Sequence, residues 1–144
     1  MGIRFFLPYI LLLIISFTSA TAACECEHLS LRAEYVKATN VYCGKVLSIA
    51  KNDTDGTEDR RSLFLISDTV MVQITEVLKG TPDSLERVAA DGPINCGVIF
   101  KPGETYLVFV DSNGAASRCT GTRLLTIKNT AVLKKLRHWK LKNK

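Results

Sequence analysis

The sequence lacks the local motifs that mark many enzyme classes. It contains no glycine-rich phosphate loop, no zincin helix and no nucleophile elbow. Its longest apolar run, from Phe5 to Ile15, is shorter than the about 20 residues that a transmembrane helix needs. We therefore expect that the protein is not an enzyme, holds no cofactor of its own and does not insert into a membrane.

The first 23 residues have the three parts of a secretory signal peptide. Arg4 precedes the apolar core, and small residues end the segment at Ala23. Cleavage after Ala22 or after Ala23 satisfies the small-residue rule equally well. We expect a secreted, extracellular protein.

All five cysteines follow this leader, at positions 24, 26, 43, 96 and 119. Because export permits disulfides and five is an odd number, at most two bridges form within the chain and one thiol is left over. Cys24 and Cys26 are too close in sequence to pair without strain, so each should reach a distant cysteine. Four cysteines allow three pairings, and the residues alone do not rank them.

The body of the chain has the pattern of a β protein. Strands are predicted at residues 41–49, 69–79, 85–90 and 105–110, with a last strand near Cys119. Gly44, inside the first strand, suggests a bulge or a sharp coil. Five strands without an intervening helical pattern predict a five-stranded OB-type barrel, with a β-sandwich as the second choice. The polar loop at 51–61 contains a glycosylation sequon at Asn52.

After Thr130 the periodicity becomes helical, with Val132, Leu136 and Trp139 on one face. The cations Lys134, Lys135 and Arg137 form a broad opposite face, either a solvated surface or a weak heparin-type glycosaminoglycan contact. The predicted domains are a signal peptide at 1–23, a barrel domain at 24–128 and a basic amphipathic helix or tail at 129–144.

Several segments, in order along the chain, resemble the netrin-like module, and most closely the N-terminal domain of the tissue inhibitors of metalloproteinases (TIMPs). They cover most of residues 24–125 and are Cys-x-Cys at 24–26, Val-Tyr-x-Gly-x-Val at 41–46, Val-Leu-Lys-Gly at 77–80, Cys-Gly at 96–97, Phe-x-x-Gly-x-x-Tyr-Leu-Val-Phe at 100–109, and a later cysteine. The resemblance implies an OB-type barrel with flanking helices and the disulfides Cys24–Cys96 and Cys26–Cys119. Cys43 has no counterpart in the family and is expected to be a free thiol.

The resemblance also implies a metalloprotease inhibitor. In such a mechanism the free amine and the carbonyl oxygen of Cys24 chelate the catalytic zinc of a secreted protease, filling its open coordination position. The implied inhibitory edge consists of Cys24, Glu25, Cys26, Glu27, Asn95, Cys96 and Gly97. Its metal contact is the backbone of Cys24, and the metal belongs to the partner.

The sequence departs from the family at several points. Glu25 replaces the usual Thr or Ser, no proline follows Cys26, and Glu27 adds a second acid. A buried, unpaired carboxylate costs several kcal/mol, so the target pocket must hold a cation or the usual matrix enzymes are not inhibited. The family's third bridge and the six-cysteine C-terminal domain of the vertebrate inhibitors are missing, which suggests a one-domain version.

The alternative function is a secreted netrin-like binding module for matrix, receptor or host protein that inhibits no protease. A metal site at Cys24, Cys26 and His28 is disfavoured because disulfides consume the thiolates. Cys43 as a nucleophile lacks an evident His and acid partner set. Export also argues against nucleic acid as a partner.

Overall fold

The computed structural model describes residues 26–27, 29–50, 68–90 and 96–142. Within them lie two α-helices, a 3-10 helix and six strands. In chain order these are α1 (Leu31–Lys37), β1 (Asn40–Ala50), β2 (Asp68–Lys79), β3 (Leu85–Ala90), β4 (Thr105–Val110), β5 (Ala115–Ala116), β6 (Arg123–Leu124), the 3-10 helix (Ile127–Asn129) and α2 (Thr130–Lys142).

The strands form one mainly antiparallel sheet that curls into a half-barrel, in the order β5-β3-β2-β1-β4-β6. The four long strands, β1 to β4, lie where the sequence pattern predicts them. The prediction of five strands is one short of the six observed, because the region around Cys119 contributes two strands of two residues each, β5 and β6. Strands this short carry no readable alternation, which explains why the sequence predicted only one there.

β1 is the central strand, since it pairs with β2 on one side and with β4 on the other. Its pairing with β2 shifts register between Cys43 and Gly44, the irregularity that the glycine predicted. A Cβ at Gly44 would lie 2.3 Å from Cγ1 of Val72. Only a residue without a side chain therefore lets the two strands approach closely enough for the sheet to curl.

Both faces of the sheet are buried, in two separate apolar clusters. The inner cluster includes Tyr42, Val46, Val70, Val72, Val88 and Val108. The outer cluster joins Val41, Cys43, Leu107 and Phe109 of the sheet to Tyr35 of α1 and to Leu133 and Leu136 of α2. The helices thus cover the outer face, and the alternation along β1 divides its side chains between the clusters.

Helix α1 was not predicted from the residue pattern, whereas α2 begins at Thr130, where the change of periodicity placed it. The signal for α1 was its N-cap: the hydroxyl of Ser30 accepts a hydrogen bond from the backbone N–H of Ala33 at 3.3 Å. With seven residues, α1 is too short for a clear periodic pattern. None of the helices in the described ranges is long and apolar enough to cross a membrane.

Candidate functional site

Part of the predicted inhibitory edge lies within the described residues. Cys26, Glu27, Cys96 and Gly97 are described, whereas Cys24, Glu25 and Asn95 lie outside the described ranges. The sequon residue Asn52 and the disfavoured metal ligand His28 also lie outside them. The zinc-chelating backbone of Cys24 therefore stays a prediction.

A disulfide joins Cys26 to Cys119, with their Cα atoms 5.1 Å apart, and this is the pairing that the resemblance implies. The two cysteines are separated by 93 positions in the sequence. A cross-link that closes a loop of this length stabilises the fold by roughly 4.6 kcal/mol in the chain-entropy picture. It anchors the N-terminal segment to the turn between β5 and β6.

Cys96 lies next to this bridge. Its sulfur is within 4.8 Å of the sulfurs of Cys26 and Cys119, and it too is disulfide-bonded. Because all three sulfurs are in disulfides, they offer no thiolate to a metal ion. The proposed partner of Cys96, Cys24, is outside the described ranges, so the Cys24–Cys96 pairing stays a prediction.

Backbone contacts hold the Cys96–Gly97 segment against the same turn. Gly97 forms an isolated antiparallel bridge with Ser117, and the backbone N–H of Arg118 donates to the carbonyl of Cys96 at 3.1 Å. Cys96 has a φ of 61°, in the left-handed region that costs a non-glycine residue about 1–2 kcal/mol. Such strain persists only where the surroundings impose it, and here they place the segment beside the Cys26 disulfide.

The turn that carries Cys119 is itself fastened to β4. The hydroxyl of Thr122 accepts from the backbone N–H of Phe109 at 2.9 Å and lies 3.1 Å from the carbonyl oxygen of the same residue, to which it can donate. The hydroxyl of Thr120 lies 3.0 Å from that carbonyl as well. Several hydrogen bonds therefore hold the turn that carries the disulfide against β4, which favours a rigid inhibitory edge.

Beside the disulfide is a pocket of about 370 Å³ with charges of both signs. Glu27 and Lys37 form an exposed ion pair at 3.2 Å. Glu34 pairs with Arg123 at 2.8 Å and is largely shielded from solvent. The second pair ties α1 to β6. It leaves no room for a side chain at Gly121, where a Cβ would lie 2.6 Å from Oε2 of Glu34.

Cys43 is a free cysteine and is buried in the outer cluster. Burial raises the pKa of its thiol to about 11, with a further contribution from the charge of Glu76. A thiol with this pKa carries almost no thiolate at neutral pH, so it is a poor nucleophile. Its burial also keeps it from an intermolecular bridge while the fold is intact.

The predicted basic face on α2 is only partly free. Arg137 donates two hydrogen bonds to the carboxylate of Glu76, at 2.9 and 2.7 Å, and lowers the pKa of that carboxyl. Lys134 and Lys135 are exposed and make no hydrogen bond or ion pair within the described part of the chain. Two of the three predicted cations therefore remain available to a ligand.

The sequence pattern did not predict a second pocket, which lies between α1 and α2. It depends on α1, which the pattern missed, and on Lys79, which the resemblance marks only as part of the Val-Leu-Lys-Gly segment at 77–80. Comparison of the chain with protein-family models and with curated proteins finds no match to either.

Proposed function

We propose that this protein is a secreted, TIMP-like inhibitor of a zinc metalloprotease. The observation that carries the proposal is the convergence of Cys26, Cys96 and Cys119, whose sulfurs lie within 4.8 Å of one another. This convergence supports an edge in which the residues next to Cys26 lie alongside the Cys96–Gly97 segment. Disulfide anchoring reduces the entropy lost on docking.

The strand pairing supports an OB-type barrel for the proposed inhibitory domain. β1 pairs with both β2 and β4, and β3 runs parallel to β5. This is the connectivity expected of an OB-type barrel, with β6 as a further two-residue strand beside β4. The isolated bridge between Gly97 and Ser117 brings the segment that carries Cys96 next to the turn that carries Cys119.

In the proposed mechanism, cleavage of the leader after Ala23 frees the amine of Cys24. That amine and the carbonyl oxygen of the same residue close a five-membered chelate on the zinc of the protease, whose catalytic site keeps one position open. A terminal amine has a pKa near 7.7–8.0, so it loses its proton readily when the metal competes for the lone pair. Glu25 then enters the primed-side pocket, where it requires a cation.

The test compares three forms of the mature protein against the catalytic domain of a secreted zinc endopeptidase. One form begins at Cys24, one carries an added Ala before Cys24, and the control carries an added Ala after Lys144. We expect the first and third to inhibit and the second to fail with an unchanged unfolding temperature, because the extension removes the chelating amine. Equal inhibition by the extended form would show that the zinc-chelate mechanism is wrong.

Substitution of Glu25, the second residue of the form that begins at Cys24, tests the role of its carboxylate. Glu25→Thr removes a carboxylate that costs several kcal/mol in an apolar pocket, so inhibition of enzymes with such pockets should strengthen by about tenfold or more. Asp83→Asn is the control, since Asp83 is an exposed acid that lies outside the proposed edge and makes no ion pair within the described ranges. We expect it to leave inhibition within about twofold.

The alternative function, a secreted netrin-like binding module without inhibitory activity, has its own supporting observation. Ile99 and Leu124 are 63% and 40% exposed, and they line a shallow pocket of about 500 Å³ together with Arg118. Arginine is enriched at protein contact surfaces, and here Arg118 lies beside exposed apolar side chains. If the form beginning at Cys24 is folded and inhibits no metalloprotease, this alternative replaces the first proposal.

A glycosaminoglycan contact through α2 is part of both proposals. Lys134 and Lys135 are the available cations, and Arg137 contributes only when it is not held by Glu76. Retention on heparin should fall steeply between low and physiological salt if such a contact exists.

A further inference from the structure

A second pocket, of about 410 Å³, lies between α1 and α2. Its volume is within the range of small-ligand sites, roughly 300–1,000 Å³. The described residues that line it are Arg32, Tyr35, Val36, Lys79, His138, Trp139 and Lys142. It uses the face of α1 opposite to Glu34 and Lys37, which line the pocket beside the Cys26 disulfide. An occupant of the interhelical pocket therefore need not touch the proposed inhibitory edge.

The pocket is positively charged. None of its described lining residues is acidic, whereas Arg32, Lys79 and Lys142 are all cationic. The nearby acids are engaged elsewhere, because Glu34 pairs with Arg123 and Glu76 with Arg137. Uncompensated cations around a concave surface attract an anion.

The three cations have different roles. Lys79 donates to the carbonyl oxygens of Tyr35, Val36 and Ala38, at 2.8, 2.9 and 2.5 Å, so its donors are used and it contributes charge alone. Arg32 and Lys142 are exposed, and neither makes an ion pair or side-chain hydrogen bond within the described ranges. Their donors are available to the oxygens of a sulfate or phosphate group.

The pocket also has an apolar side. The rings of Tyr35 and Trp139 pack with their centroids 5.5 Å apart at an interplanar angle of 56°. Trp139 is only partly buried, and Val36, which lines the same pocket, is 67% exposed. A bare inorganic anion makes no use of these surfaces, whereas the C–H groups of a sugar ring pack well on the face of an aromatic ring.

We propose that the interhelical pocket binds a sulfated sugar residue of an extracellular polysaccharide. The sulfate lies between Arg32 and Lys142, with the charge of Lys79 behind it, and the sugar ring lies on Trp139. The proposal rests on the proposed secretion and matrix contact, and it names a site distinct from Lys134 and Lys135. It does not depend on protease inhibition.

Trp139 is the only tryptophan of the chain, so its fluorescence reports directly on the pocket. The titration uses a sulfated heparin-type disaccharide, its desulfated counterpart and inorganic sulfate, at constant ionic strength. We expect a saturable change with the sulfated disaccharide and, at the same concentrations, no saturation with either of the other two. Equal binding of the desulfated sugar would overturn the proposal, as would binding of inorganic sulfate as tight as that of the disaccharide.

Two charge-matched double variants locate the site. Arg32→Gln with Lys142→Gln removes two cations from the pocket. Arg87→Gln with Lys128→Gln removes one arginine and one lysine at exposed positions outside the pocket, and neither belongs to the proposed contact at Lys134 and Lys135. The first variant loses charge-assisted hydrogen bonds to the sulfate, so its dissociation constant for the sulfated disaccharide should rise by about tenfold or more. The second variant keeps these hydrogen bonds, and its dissociation constant should change by less than about twofold. Equal weakening by both variants would overturn the pocket assignment in favour of diffuse attraction. Unfolding temperatures serve as the folding control.

Vesicles of phosphatidylcholine with phosphatidylserine provide the competing ligand. Vesicle binding that depends on Arg32 and Lys142, with no response to the sulfated disaccharide, would overturn the proposal in favour of a lipid headgroup. The protease assay is separate from these titrations. A form that binds the disaccharide without inhibiting contradicts only the inhibitor proposal, and a form that inhibits without binding it contradicts only this one.

Discussion

The ammonium group of Lys79 lies 5.4 Å from the ring centroid of Tyr35 and donates a hydrogen bond to the carbonyl oxygen of the same residue at 2.8 Å. The Tyr35 hydroxyl in turn donates to the carbonyl of Leu78 at 2.9 Å. These contacts fasten the last turn of α1 to the end of β2. A cation at this position also interacts favourably with the helix dipole.

Loss of the Lys79 ammonium should destabilise the fold. Lys79→Met keeps the aliphatic stem but leaves the carbonyls of Tyr35, Val36 and Ala38 without this donor. We expect the free energy of unfolding to fall by about 2–3 kcal/mol, measured by urea denaturation. Lys45→Met, at an exposed position on β1, is the control, and an equal loss in both variants would contradict the role of Lys79.

The pairing of Glu76 with Arg137 should make stability depend on acidity. The hydrogen bond from Arg137 lowers the pKa of Glu76 below its ordinary value of 4.5. The folded state therefore binds this proton less readily than the unfolded state does, and the pair stabilises the fold fully above pH 4.5. Its contribution is lost as the pH falls through the lowered pKa.

The dependence of stability on pH is tested by urea midpoints of the wild type and of Glu76→Gln, measured from above pH 4.5 down through the lowered pKa of Glu76. The wild type should lose stability relative to the variant as the pH falls, and the two curves should converge at the acidic end. Glu104→Gln, an exposed acid without an ion pair within the described ranges, should keep the slope of the wild type. Parallel curves for wild type and Glu76→Gln would contradict the shifted pKa.

The thiol of Cys43 should be unreactive in the native protein. Its pKa of about 11 and its burial both suppress the thiolate that a disulfide reagent requires. In denaturant without reductant, we expect a single thiol per chain to react with Ellman's reagent. Three thiols would mean that Cys24 and Cys96 are not bridged to each other, and rapid labelling of the native protein would contradict the buried position of Cys43.

The glycine at position 44 should be required for the curl of the sheet. Gly44→Ala places a methyl group against Cγ1 of Val72, and overpacking of this kind costs about 1–3 kcal/mol. Val72→Ala removes that methyl, so the double variant should be more stable than the sum of the two single changes predicts. Additive losses in thermal or urea unfolding would show that the two residues do not compete for the same space.

The residue pattern predicted the positions of β1 to β4 and of α2. Long strands buried on one or both faces, such as Asp68–Lys79 and Thr105–Val110, leave a period of two or a continuous apolar run. Thirteen residues from Thr130 to Lys142 are enough for a helical period to be visible. Gly44 marked the register shift because only a missing side chain fits there.

The sequence pattern did not determine the short elements or the long-range contacts. α1 and the two-residue strands are too short to carry a period, and their stability comes from neighbours distant in sequence, such as Lys79 for α1. The position of Cys96 beside the Cys26–Cys119 bridge depends on the Gly97–Ser117 pairing. Likewise, helical spacing placed Arg137 on one basic face with Lys134 and Lys135. That spacing gives no indication that Glu76 lies opposite Arg137 on β2. Such contacts are decided by how the strands pair and where the helices pack, so only the tertiary structure contains them.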